Sequence, residues 1–164
     1  MGAGSDTLIR WHYTTGDKFA QIVESGEIRP AKRGVPKGER PAVWFSINQE
    51  WEPTANKLSL KPDGTLVSLT KHQTFELANG LARIGVASET APHDWAEFKQ
   101  LSRVRSDMAR SLYQAALQQG SKPSWWFVSF DSVPRSKWIA VEIWGGSRWE
   151  RVTHEPVASQ QGAE

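Results

Sequence analysis

Four short segments limit what this chain can fold into. TLIRWHY (7–13), AVWFS (42–46), WWFVSF (125–130) and KWIAVEIW (137–144) alternate with the two-residue period of a β-strand and are rich in β-branched and aromatic residues. In the first, Leu8, Arg10 and His12 share one face, and Ile9, Trp11 and Tyr13 the other. In the second, Ala42, Trp44 and Ser46 oppose Val43 and Phe45. In the last, Ile139, Val141 and Ile143 make the core side, so Glu142 projects from the opposite face between Trp138 and Trp144.

Helical patterns fall between these segments, which gives a mixed α+β chain. Thr14 and Asp17 have capping-box spacing, with Asp in place of Glu; Phe19, Ile22 and Val23 form an apolar stripe, and Gly26 suits a left-handed helix end. RPAKRGVPKGERP (29–41) holds three prolines and five cations and reads as a basic loop. Ser46 or Asn48 can cap a short helical turn near QEWEPTANK. GTLVSLT and LARIGVA read as strands on either side of a turn at Asn79-Gly80, and Asp94 with Glu97 caps a helix carrying Trp95, Phe98 and Leu101. Met108, Leu112 and Leu117 continue to Gly120 as a second helix or a bend of the same one, and RWERV adds an edge strand.

At 164 residues the chain is expected to form one domain, 7–155, with flexible ends at 1–6 and 156–164. A content of 38% apolar residues argues against disorder, and a formal charge of +2 is too small to indicate nucleic-acid binding without a local basic patch. The sequence has no cysteine, so disulfides, thiol nucleophiles and thiolate metal sites are excluded. No apolar run is long enough for a membrane span and the first residues lack a signal-peptide core, so the expected location is the cytoplasm, without membrane association. His72, His93 and His154 show no metal-ligand spacing, and no metal is expected. G-x-S-x-G, Walker and G-x-G-x-x-G patterns are missing.

What remains is a constellation on the strands. The expected arrangement puts Arg10, His12, Trp44, Ser46 and Glu142 on one side of a sheet, with donors, acceptors, an aromatic plane and one acid. The order is a strand ending His12-Tyr13-Thr14, a helix ending ESGEIRP, a variable loop, AVWFS and a late glutamate. This order resembles the ADP-ribosyltransferase superfamily, in particular its His-Tyr-Glu branch, which includes diphtheria toxin and the poly(ADP-ribose) polymerases and has DNA- and RNA-modifying relatives.

The resemblance covers about residues 8–46 and 137–144 and implies a split antiparallel sheet of that family's type with peripheral helices. It implies NAD as substrate and a macromolecular acceptor, protein or nucleic acid, in a toxin-like mono-ADP-ribosyltransferase. By position, His12 matches the histidine that holds a ribose hydroxyl, with Thr14 the small hydroxyl residue after it. Trp44 stands where a tyrosine stacks on nicotinamide, Ser46 closes that strand, and Glu142 matches the catalytic glutamate. Tyr13 replaces a glycine whose backbone grips the carboxamide, and cations such as Arg33 are placed to meet the pyrophosphate. Cleaving the nicotinamide–ribose bond builds oxocarbenium-like charge, which a fixed carboxylate stabilises. Two other readings stand beside this one: an RNA 2′-phosphotransferase-like enzyme using Arg10, and a non-catalytic module whose Trp-lined groove binds nucleotide, nucleic acid or protein.

Overall fold

The alternating segments pair with one another across long stretches of sequence. The computed structural model describes residues 8–152; the expected loose ends, and positions 7 and 153–155 of the expected domain, lie outside them. The strands are β1 (Arg10–Thr15), β2 (Glu27–Ile28), β3 (Val43–Ser46), β4 (Leu58–Leu60), β5 (Leu66–Ser68), β6 (Leu81–Val86), β7 (Trp126–Ser129), β8 (Val133–Pro134), β9 (Ala140–Trp144) and β10 (Trp149–Arg151). Six of them form one antiparallel sheet in the order β10-β9-β6-β1-β3-β7, and β2-β8 and β4-β5 form two small ladders. The chain is therefore α+β. The outer edge of β7 is closed by a bridge from His93, whose N–H and C=O both bond Val128.

Helix ends follow local chemistry. The first helix, α1 (Gly16–Ser25), is capped by Thr15, whose hydroxyl accepts the Lys18 N–H, and it stops at Gly26 with φ of 78°. The cap falls one residue after Thr14 because Thr14 and Thr15 are still paired with Ala82 and Leu81 of β6. Helix α2 (Lys71–Leu77) lies between the two expected strands, where the sequence reading placed no helix: Thr70, the last residue of GTLVSLT, and Gln73 close a reciprocal capping box that follows β5 (Leu66–Ser68). The expected box at Asp94 and Glu97 opens α3 (Trp95–Leu101). Residues 102–105, with Arg103 at φ of 62°, separate it from α4 (Ser106–Gln118), so the pattern is a helix pair. Among the described residues no helix is long and apolar enough to cross a membrane.

Both faces of the sheet are covered. Against one face, Phe19 and Ile22 of α1 pack on Val43, Phe45, Ile84, Val86 and Val141. The other face carries Trp11, Tyr13, Leu81 and Ala140 beneath Trp51, and farther along Trp44 meets Phe98 of α3. Burying an indole or aliphatic side chain of this kind contributes about 1.5–3 kcal/mol. Trp138 departs from its expected face. It lies just before β9, outside the alternation, and is buried with Val141, while Ile139 is exposed. Glu142 is consequently not flanked by two indoles.

The start of α1 crosses the 78–80 turn at backbone distance: Gly16 N–H donates to Gly80 O (2.8 Å) and Asp17 N–H to Ala78 O (3.1 Å). A Cβ on Gly16 would sit 1.8 Å from the Asn79 carbonyl oxygen, and neither backbone can yield without losing these bonds. Gly16→Ala is expected to cost at least about 2 kcal/mol, read from the urea midpoint at unchanged slope.

Candidate functional site

β1 pairs with β6 over all six of its residues, but meets β3 in a single register pair, Trp11 with Ser46. Beyond that point a side chain links the two strands: His12 Nδ1 lies 2.8 Å from Trp44 O. A carbonyl can only accept, so Nδ1 carries the hydrogen. Burial lowers the His12 pKa; the bond to Trp44 opposes this and the Lys18 charge adds to it. At neutral pH the ring is therefore uncharged, with its lone pair on Nε2, which has no hydrogen-bond partner among the described residues.

Two cavities open at this seam and His12 lines both. The first, about 400 Å³, is walled by Trp11, Tyr13, Trp44, Ser46 and Trp126, and closed by Leu112 and Ala115 of α4 and by residues 52–55. The second, about 700 Å³, runs along α1 past Thr14, Lys18, Gln21 and Arg29. Tyr13, Thr54 and Ala55 also border both, so the two cavities adjoin along these residues. Its size is that of a small-ligand or cofactor site.

The expected constellation is divided by the sheet. Register places Ser46 with Trp11, and Tyr13, Arg83 and Glu142 in one cross-strand row, so Trp44, Ser46 and Glu142 share a face. His12 and Arg10 point to the other face, where His12 contacts Phe45 edge-on. The splay of β1 from β3 brings His12 back to Trp44 and Ser46 at the first cavity. Thr14 borders the second, while Arg33, Arg10 and Glu142 line neither. Arg33 is exposed in the basic loop, and the cations that line the second cavity are Lys18, Arg29 and Lys57, with Arg29 bonded to Glu27 at 2.8 Å. Arg10 donates to the carbonyls of Ala91 (2.6 Å) and Ser88 (3.2 Å) and lies over Phe127.

Glu142 is held by cations. Its Oε1 accepts from Arg83 Nε (2.9 Å) and Nη2 (2.5 Å), and its Oε2 from Arg151 Nε (3.0 Å). Burial alone would raise the Glu142 pKa, but the hydrogen bonds and charges of Arg83 and Arg151 outweigh it and hold the carboxyl below its usual range. Arg83 also donates to Tyr13 Oη (3.1 Å) and Gln49 O (2.5 Å), between the faces of Trp11 and Trp149. Burial raises the Tyr13 pKa, against the effect of Arg83, so the phenol stays protonated and donates to Asn48 O.

Comparison with family models, curated proteins and solved structures gives no match to this chain. The site therefore rests on its own geometry.

Sequence reasoning did not single out Arg83 or Glu52. A lone arginine inside the buried strand LARIGV signals a partnered internal cation. Glu52 directly before Pro53 is the acceptor that caps a short 3-10 turn, Pro53–Ala55, a role the sequence reading gave to Ser46 or Asn48. Its Oε2 accepts from Thr54 Oγ1 (2.6 Å), Thr54 N (3.3 Å) and Ser121 Oγ (2.6 Å), whereas its Oε1 is shielded from solvent and has no partner among the described residues.

Removing one partner of the buried Glu142 network leaves a guanidinium uncompensated, so Glu142→Gln is expected to cost about 3–5 kcal/mol at neutral pH. A depressed folded pKa means that the carboxylate's stabilisation is fully present above the unfolded value of about 4.3 and disappears as pH falls through the folded value. The stability gap between wild type and Glu142→Gln, measured by urea unfolding, is expected to narrow as pH falls from about 6 to about 3.

Proposed function

We propose that this chain is a mono-ADP-ribosyltransferase that binds NAD across the two adjoining cavities and transfers ADP-ribose to a macromolecular acceptor, protein or nucleic acid, on a fold of the ADP-ribosyltransferase type. The observation that carries the reading is the position of His12: a neutral imidazole in the β1–β3 seam, where two cavities meet. A dinucleotide needs two lobes joined at an angle and polar groups at the bend. In this reading Nε2 of His12 accepts a hydrogen bond from a ribose hydroxyl at the junction. The nicotinamide ring enters the first cavity against Trp44, with Tyr13 and Trp126 as further aromatic walls. The adenylate half lies along α1, where Lys18 and Arg29 meet the pyrophosphate.

The aromatic walls also favour a second reading, in which the first cavity stacks a single base and no bond is broken. The RNA 2′-phosphotransferase reading has weaker support, because Arg10 is committed to backbone carbonyls away from the groove.

Incubation with NAD labelled in its adenylate half, together with protein, DNA and RNA fractions, separates these readings. The expected result is nicotinamide release with label on one class of acceptor, and a fall of about 100-fold in His12→Ala through lost orientation. Binding of NAD or oligonucleotide without nicotinamide release places the chain in the second reading.

A further inference from the structure

We propose that Glu52 supplies the carboxylate that acts on the ligand in the first cavity; the inference rests on the transferase reading above. Glu52 is 7% exposed and lines that cavity together with His12, Trp44 and Ser46. Its two oxygens differ. Three hydrogen bonds converge on Oε2, two from Thr54 and one from Ser121, whose own oxygen accepts the Trp126 indole N–H at 3.2 Å. These fix the plane of the carboxyl group. Oε1 is the remaining acceptor, removed from water and unmatched by any donor among the described residues. A buried acceptor left in this state weakens the fold, and a ligand that donates a hydrogen bond relieves it. No ion pair among the described residues involves Glu52, in contrast to Glu142, whose two oxygens are both taken by arginines.

The chemistry that fits is a hydroxyl on a ring that becomes cationic. In the proposed reaction the C1′–N bond of NAD breaks, and its electron pair leaves with neutral nicotinamide. C1′ becomes oxocarbenium-like, and Oε1, accepting the hydrogen of the neighbouring ribose hydroxyl, directs negative charge at the developing positive centre. A lone pair of the acceptor then closes on C1′, and the proton it carried passes to solvent. Thr54 and Ser121 hold the orientation of the carboxylate during the step, and the ligand reaches the shielded Oε1 by displacing the groups that cover it.

The test compares full-length wild type, Glu52→Gln, Glu52→Asp and Glu142→Gln for nicotinamide release, for NAD affinity by calorimetry and for thermal midpoint. Glu52→Gln is expected to lose about 100-fold or more in release while NAD affinity stays within about threefold and the midpoint is held or raised. Glu52→Asp, which keeps the charge on a shorter arm, is expected to retain part of the rate, and it carries the test if the glutamine variant does not fold. Release by Glu52→Gln within about threefold of wild type overturns the inference while leaving the transferase reading in place, as does loss of release in Glu142→Gln alone. Wild type that neither binds nor cleaves NAD overturns the transferase reading, and the role of Glu52 with it.

Discussion

The buried guanidinium of Arg83 is the constraint around which one face of this molecule is organised. A permanent cation inside a sheet is tolerated when its charge is paired and its donors find acceptors, and its flat faces can stack on aromatic planes. Here the acceptors come from β9 (Glu142), β1 (Tyr13) and the loop after β3 (Gln49 O), and the planes from Trp11 and Trp149. Elements distant in sequence are thereby held in one register. The same loop is stapled further by Trp11 Nε1 to Gln49 Oε1, Gln49 Nε2 to Ile9 O and Trp149 Nε1 to Glu50 O. Anchoring Gln49 and Glu50 in this way gives Glu52, two residues further on, a fixed starting point. The acid that the sequence offers for chemistry serves to position this loop, and an acid carried on the loop faces the cavity.

Both cavities lie where the β1–β3 pairing is incomplete. Past Trp11 and Ser46 the β1–β3 ladder stops, and the His12 imidazole takes over the link to the Trp44 carbonyl. Because β1 keeps its full ladder with β6 and touches β3 at one pair, the opening is confined to the side where α1 begins and α4 covers. The imidazole that bridges the gap belongs to the first face by alternation and to the second by displacement.

Most of the sheet was legible from alternation alone, since TLIRWHY, AVWFS, WWFVSF and KWIAVEIW each supply a strand. The capped helices α1 and α3 were legible for the same kind of local reason. Helix α2 was not, because its cap at Thr70 sits in a β-branched run whose local pattern points to strand, and reciprocal bonds with Gln73 decide the matter. Of the residues singled out in the sequence, His12, Tyr13, Thr14, Trp44 and Ser46 border the two cavities. Faces within one strand follow from period two, but which faces of separate strands coincide depends on register, and register is a tertiary fact. That is why Glu142 and His12, each placed correctly within its own strand, are found on opposite sides.

The two margins of the six-stranded sheet are short and blunted. On one side His93 occupies the rung that β7 would otherwise present, and on the other β10 is three residues long and carries Glu150 and Arg151. A neighbouring copy seeking to extend the hydrogen-bond ladder finds at one end a place already filled and at the other a charged stub. Edge-to-edge extension of the six-stranded sheet is therefore disfavoured at both of its margins.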